Sequence, residues 1–307
     1  MRGRSAVGVA LRHPDGSIVS ASEPLNSILH RNRFARAPFM RGIVLLYETL
    51  VIGTRWLMRS GSVQASGEGQ ELGRGTIALT LIVTLGMAIG LFVLLPLFLA
   101  GAATQAALGP GQTLVAHLVE GLIRVVIFVG YLLLVSRLGD IQRTFRYHGA
   151  EHMTIHALEH EDPLTVESVR KYPTAHQRCG TEFLVIFIIL SILMFSLLAG
   201  QNLWVSILGR VALVPVIAAV AYELLRFGAR YRQHWWIRWL YLPGIWLQAI
   251  TTKQPDDGMI EVAIASMREA LAANGEEAPA GSLDPLRRPI PTIVAEEPAG
   301  SATDQAS

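Results

Sequence analysis

Long apolar runs alternate with short polar segments through the middle of the chain. The first run, residues 76–100, contains no charged side chain, and it exceeds the roughly 20 apolar residues that a membrane-crossing helix needs. Three later apolar runs cover residues 114–136, 183–199 and 203–225. The first of these contains Glu120 and Arg124, and the last contains Arg210 and Glu223. This pattern predicts a mainly α fold: a polytopic α-helical membrane protein with about four transmembrane helices.

The segments that flank these runs predict smaller elements. Residues 6–22 alternate in polarity around Pro14-Asp15-Gly16, which predicts a small N-terminal β-hairpin. Residues 43–58 predict a helix that is too short to span a bilayer and is either interfacial or part of the core. A Gly/Ser/Glu-rich linker loop is predicted over residues 60–75.

The region after the last run predicts an amphipathic helix at the membrane interface, because residues 230–246 place four tryptophans among arginines. A helix with acidic residues in its first turn follows from Asp256 to Ala273. The predicted segments are 1–75 (cytoplasmic hairpin and interfacial helix), 76–136 (first two spans), 137–182 (cytoplasmic site loop), 183–225 (last two spans), 226–273 (cytoplasmic Trp-rich segment and helix) and 274–307 (disordered tail).

Lys and Arg are concentrated in alternate connections. There are ten in the segment before the first span, six in 137–182 and five in 226–253, but none in 101–113 or 200–202. Because positively charged connections remain in the cytoplasm, we expect a multi-pass protein with both termini and the 137–182 segment on the cytoplasmic side.

Composition agrees with the lipid bilayer as a partner and gives little support to nucleic-acid binding. Hydrophobic residues make up 51% of the chain and charged residues 16%, with a mean hydropathy of +0.40. The net charge is only +2 and no dense basic tract is present, so nothing in the sequence favours nucleic-acid binding. A single cysteine excludes an intrachain disulfide.

The chemistry is concentrated around His148-Gly-Ala-Glu151-His152. Histidines at i and i+4 of a helix face the same side and can share one metal ion, and Glu151 can serve as general base in a His-x-x-Glu-His order. His176 and Cys179 are the nearest further ligands. If Cys179 binds, its soft thiolate favours zinc over magnesium or calcium, and another divalent metal is the alternative. Glu223 and His156 are additional candidates.

The number of ligands decides the mechanism, and the sequence leaves it open. Four ligands would close a structural site, whereas three would leave a position for water and permit hydrolysis. The first alternative is a non-enzymatic membrane scaffold whose structural metal supports a surface for a protein partner. A third interpretation is a transporter that uses Glu120 and Arg124 within the second span, but four spans without an inverted repeat disfavour it.

Four strings resemble the YqhQ-like family of bacterial membrane proteins, an uncharacterised family described as predicted metal-dependent enzymes. They are Tyr147-His-Gly-Ala-Glu-His, Leu164-Thr-Val-Glu, His176-Gln-Arg-Cys-Gly-Thr and Leu247-Gln-Ala-Ile-Thr-Thr. The resemblance implies a location in the bacterial inner membrane and singles out the same five residues: His148, Glu151, His152, His176 and Cys179. Members begin with a Gly-Gly-Gln-rich segment that ends in Met-Met-Arg-Gly, so the resemblance also implies a segment upstream of Met1.

Together these observations predict a membrane-bound, zinc-dependent hydrolase with a cytoplasm-facing site. Glu151 is the expected base, His148 and His152 are ligands, and His176 and Cys179 complete the shell. The substrate is expected to be a peptide or a lipid-linked compound.

Overall fold

The computed structural model describes residues 1–25, 27–28, 32–65, 74–108, 113–176, 179–198, 201–231, 233–282 and 287–289. Over these residues the chain is mainly helical and carries a β-hairpin near its N-terminus, which confirms the predicted fold class at this level.

The hairpin forms one face of a small α+β layer. Strand β1 (Ala6–Arg12) pairs antiparallel with β2 (Ile18–Pro24), and Gly16 takes the positive φ of 86° that the turn requires. A third strand, β3 (Arg287–Pro289), pairs parallel with β2. The sheet packs closely on the helix formed by Asp257–Ala273. A Cβ at Gly8 would lie 2.3 Å from the carbonyl oxygen of Ser266 in that helix.

A short 3₁₀ turn (Phe34–Arg36) follows the hairpin, and the other described elements are helices. They are α1 (Met40–Ala65), α2 (Arg74–Ile89), a π-helical turn (Gly90–Leu94), α3 (Leu95–Leu108), α4 (Thr113–Val135), α5 (Gly139–Glu159), α6 (Val166–Val169), α7 (Thr181–Ser196), α8 (Leu203–Arg230), α9 (Trp235–Thr251) and α10 (Asp257–Ala273). The predicted acid-started helix is confirmed in α10, where Asp256 caps the first turn by accepting from the Met259 N–H at 2.9 Å.

Two helical stretches are long and apolar enough to cross a membrane: Leu79–Ala103 and Leu203–Arg230. A third is added if Val119–Val135 and Gly139–Glu159, which are bent by 97°, count as one span. The third predicted run forms α7, which is apolar but has only 16 residues. Within the described ranges, two to three spans therefore meet this test, fewer than the four that the apolar runs predict.

Several predicted boundaries differ from the structure. Helix α1 continues through residues 60–65, which were predicted as loop, while 66–73 lie outside the described residues. Residues 139–159 of the predicted 137–182 loop form helix α5. Residues 274–282 of the predicted tail lie against the core: Ala278 packs on it, and the Leu164 N–H donates to Ser282 at 2.9 Å. The stretch 290–307 lies outside the described residues.

A buried charge cluster ties the helices together near the end opposite to α5. Glu120 of α4 accepts hydrogen bonds from Arg124 at 2.6 Å and from Arg210 of α8 at 2.7 and 3.0 Å. All three side chains are buried, and both guanidinium groups lie over the ring of Phe195. The predicted pair of Glu120 and Arg124 is therefore part of a three-residue cluster.

Candidate metal centre

Three of the predicted ligands meet at the start of α7. His148 and His152 are one turn apart on α5, with ring centroids 4.4 Å apart, and Cys179 lies two residues before α7 begins. Nε2 of His148 is 3.3 Å from Sγ of Cys179. The ligand atoms of the three residues all lie within 4.8 Å of one another, which is compact enough for one metal ion.

Backbone carbonyls orient both imidazoles. Nδ1 of His148 is 2.9 Å from the Thr251 oxygen, and Nδ1 of His152 is 2.6 Å from the Thr174 oxygen. A carbonyl only accepts, so each Nδ1 carries the proton and each Nε2 is left with a lone pair. Metal-binding histidines are commonly held in this way, with the second nitrogen donating to a fixed acceptor.

Gly149 allows the chain just after α9 to approach α5 closely, which brings the Thr251 carbonyl at the end of α9 to His148. The Lys253 N–H donates to the Phe145 oxygen at 3.0 Å, so this segment crosses α5 in direct backbone contact. A Cβ at position 149 would lie 2.2 Å from the Lys253 oxygen. The close approach therefore requires glycine.

The surroundings of Cys179 favour the thiolate. Burial alone would raise the pKa of this thiol, but hydrogen bonds with His148, His152 and Thr181 outweigh burial and lower the pKa from 9.0 to about 5. At His148, burial lowers the pKa, yet the hydrogen bonds to Cys179 and Thr251 outweigh it and the pKa is raised. Without a metal, both shifts favour a thiolate–imidazolium pair, in which Nε2 of His148 carries a second proton instead of its lone pair.

We expect the thiolate absorbance of the metal-free protein to titrate near pH 5 instead of near 9. Because the folded-state pKa is lowered, the thiolate's contribution to stability is complete above the ordinary pKa and is lost as the pH falls through about 5. Ultraviolet difference spectra against Cys179→Ser isolate the signal, since the chain has one cysteine. His148→Ala should move the midpoint upward. A wild-type midpoint near the ordinary value would contradict this assignment.

His176 lies beside the group but is engaged elsewhere. Its Nε2 is 3.2 Å from the Glu159 carboxylate, and burial is the main reason that its pKa is lowered. Its backbone is held in both directions by Gln248, which accepts from the N–H at 2.8 Å and donates to the carbonyl at 3.0 Å. Its ring centroid is 5.8 Å from that of His152. The structure thus places His176 next to the three ligands and not among them.

The other candidates occupy different positions. His156 stacks on Tyr172 and donates from Nε2 to the Ala175 carbonyl at 2.9 Å. Glu223 forms an ion pair with Arg41 of α1, with Nε and Oε1 2.7 Å apart, and accepts from the Phe39 N–H. Both are therefore occupied by local partners.

Glu151 is half-buried on α5, and its charge acts on His148 and on the Met1 amino group. Among the residues that the structure describes, the compact ligand group contains His148, His152 and Cys179 but not this carboxylate. Glu151 therefore lies outside the compact ligand set, and its electrostatic effect on His148 is its link to the group.

Sequence reasoning missed the groups that hold the site in place: the carbonyls of Thr174 and Thr251, the amide of Gln248 and the carboxylate of Glu159. A carbonyl contribution leaves no mark on residue type. Gln248 and Thr251 do lie in the string Leu247-Gln-Ala-Ile-Thr-Thr, which carried part of the family resemblance, and this was the available signal.

Comparisons with known proteins agree with that resemblance. The model of a family described as a protein of unknown function, DUF1385, matches residues 37–273. The chain is similar to the uncharacterized protein YqhQ of Bacillus subtilis (strain 168), with 33% identity over 275 residues, which cover 85% of this chain and 86% of that protein. No solved structure matches the chain significantly.

Proposed function

The chain belongs to the DUF1385 family, which has no established activity, and we propose from its own residues that it is a membrane-bound, zinc-dependent hydrolase. The observation that carries the proposal is the group of His148, His152 and Cys179, whose ligand atoms lie within 4.8 Å of one another. Two nitrogens and one thiolate sulfur are a donor set that suits zinc.

The number of ligands supports catalysis over a purely structural role. Zinc held by three protein ligands keeps a fourth position for water and activates that water near neutral pH. His176 would be the natural fourth ligand, but its Nε2 contacts the Glu159 carboxylate at 3.2 Å, and His176 is not in the compact group that the described residues form. Glu151 is assigned as the general base, because it directly precedes His152 in the chain and its negative charge contributes to the raised pKa of His148.

The apolar helices support a membrane location for the proposed enzyme. In this proposal four helices span the bilayer, both termini are cytoplasmic, and the site lies at the cytoplasmic ends of α7 and α8. The distribution of Lys and Arg among the connections supports this orientation. Two stretches, Leu79–Ala103 and Leu203–Arg230, support it by length and composition.

A second candidate function is hydrolysis or acyl transfer by a cysteine nucleophile without a metal. The specific observation in its favour is the 3.3 Å contact between Cys179 Sγ and His148 Nε2, together with a thiol pKa of about 5. In this mechanism the thiolate attacks an acyl carbon, and the bond from that carbon to the leaving group breaks as His148 protonates the leaving group. Water (hydrolysis) or a second acceptor (acyl transfer) then takes the acyl group from sulfur and returns a proton to His148. The two functions differ in whether the protein contains zinc.

Elemental analysis of the detergent-purified protein separates them. We expect about one zinc ion per chain in the wild type, and loss of zinc in His148→Ala and in His152→Ala. His156→Ala is the matched control, because it removes an imidazole from the next turn of the same helix, where Nε2 donates to the Ala175 carbonyl. Glu151→Gln should also retain zinc, since a base is not a ligand.

Two results would contradict the hydrolase. Absence of zinc from the wild type after zinc has been supplied would leave the cysteine mechanism as the better proposal. If the wild type contains zinc but His176→Ala loses it, His176 is a fourth ligand and the shell is closed. That result would favour the non-enzymatic scaffold that presents a surface to a protein partner.

A further inference from the structure

Helix α9 has two faces with opposite properties. Trp235, Trp239 and Trp246 are 74%, 66% and 67% exposed, and their spacing by four and seven residues, about one and two turns, puts them on one side. The opposite side is buried and carries Gly244, Gln248 and Thr251. Three exposed indoles on one face are unusual in water but typical of a helix that lies at the level of lipid headgroups.

The buried face of α9 builds the candidate metal centre. Thr251 supplies the carbonyl that holds His148, and Gln248 holds the backbone of His176. Gly244 lies against Glu182 at the start of α7, where a Cβ would be only 2.9 Å from the Glu182 Cγ. The ligand group and the tryptophan face are therefore the two sides of one helix, about one helix diameter apart.

Two helices next to α9 put the ligand group at the same depth as the tryptophan face. Helix α5, which carries His148 and His152, is bent by 97° relative to α4, so it runs along the surface of any layer that α4 crosses. Helix α7 begins two residues after Cys179 and presents Leu184, Ile189 and Leu193 outward, 40%, 45% and 60% exposed. The polar ligands therefore lie where α7 would enter the apolar layer.

We infer that the site takes its substrate from the bilayer, and that the substrate is an amphiphile whose polar headgroup reaches the metal while its acyl chain remains in the membrane. This inference rests on the proposed function. It decides between the two substrate classes that the sequence left open, because a soluble peptide would gain nothing from a metal centre at headgroup level. A membrane lipid or lipid-linked compound presents its scissile bond at that height.

Hydroxamic acids of different chain length test the inference without requiring turnover. The protein is loaded with Co²⁺ in place of zinc and reconstituted into vesicles of phosphatidylethanolamine and phosphatidylglycerol. Acetohydroxamate and hexadecanoyl hydroxamate carry the same metal-binding group, and each shifts the visible spectrum of the cobalt centre when it occupies an open position. We expect the long-chain compound to half-saturate the site at a roughly hundredfold lower total concentration, because the bilayer concentrates it beside the metal.

A pair of tryptophan variants supplies the matched control. Trp246→Ser removes an indole from the face behind the site and should weaken hexadecanoyl hydroxamate by about tenfold, with acetohydroxamate unchanged. Trp204→Ser removes an equally exposed indole, 73% accessible, from the start of α8, which is the end of α8 away from the candidate metal centre. It should change neither affinity.

The outcomes separate this inference from the function on which it rests. A response to acetohydroxamate alone would reject the bilayer substrate and leave the metal-dependent hydrolase intact. Bound cobalt that responds to neither compound would indicate a closed shell and reject both. A protein that binds no cobalt would overturn the proposed function itself.

Discussion

Gly149→Ala should weaken metal binding by about 10–100-fold, although it replaces none of the proposed ligands. The added Cβ would lie 2.2 Å from the carbonyl oxygen of Lys253 and 3.2 Å from Cγ2 of Thr174. The first of these atoms belongs to the backbone and cannot rotate away. The segment after α9 must therefore move off α5, and it carries with it the Thr251 carbonyl that orients His148.

The expected loss combines overpacking and a misplaced ligand. Overpacking of a close backbone contact typically costs about 1–3 kcal/mol, and displacement of the acceptor behind a ligating histidine weakens metal affinity by about 10–100-fold. Thermal unfolding and zinc content in detergent measure the two effects. Each should fall clearly below the wild type.

Gly139→Ala is the control on the same helix, because no atom lies within 4 Å of a Cβ built there. This change should be neutral or slightly stabilising, since alanine has the higher helix propensity. If Gly149→Ala matched Gly139→Ala in both measurements, the assignment of Thr251 as the group that fixes His148 would be wrong.

Features encoded by local patterns were predictable from the sequence. The hairpin follows from polarity alternation around Pro14-Asp15-Gly16, and α10 follows from an acidic start before an apolar row. The proximity of His148 and His152 follows from helical spacing alone. In each case the residues that decide the structure lie close together in the sequence.

The features that escaped prediction depend on partners far along the chain. His176 is held by Gln248, 72 residues later, and Glu223 is paired with Arg41 across 182 residues. Neither partner can be chosen from composition, because many arginines and glutamines would satisfy the same chemistry. Helix α1 was predicted too short for a different reason: Gly61 and its polar neighbours look like a loop, yet tolerate a helix.

Glu120→Gln should be the most destabilising single change in the helical bundle. The carboxylate is the acceptor that Arg124 and Arg210 share in the structure, at 2.6 and 2.7 Å. Neutralising it leaves two guanidinium groups close together in a buried apolar setting. Removing one partner of a buried ionic cluster costs about 3–5 kcal/mol, and a second unbalanced cation adds repulsion.

Variants of the two arginines should lose less stability than Glu120→Gln. Arg124→Met leaves the two-point contact between Arg210 and Glu120, at 2.7 and 3.0 Å, and so preserves a neutral pair with a smaller loss. The triple variant with Glu120→Leu, Arg124→Met and Arg210→Met removes all charge and should be close to the wild type, because well-packed apolar residues often replace a buried ionic cluster without loss. Denaturant unfolding in detergent gives this order directly.

The same series tests the transporter interpretation. If the cluster is structural, stability follows the balance of charge: the triple variant unfolds near the wild type and Glu120→Gln unfolds far earlier. If Glu120→Gln were instead as stable as the wild type, the carboxylate would not be compensating two fixed charges. A charged residue that contributes nothing to stability inside an apolar bundle needs a functional reason to be there, and ion flux through reconstituted vesicles would then be the measurement to make.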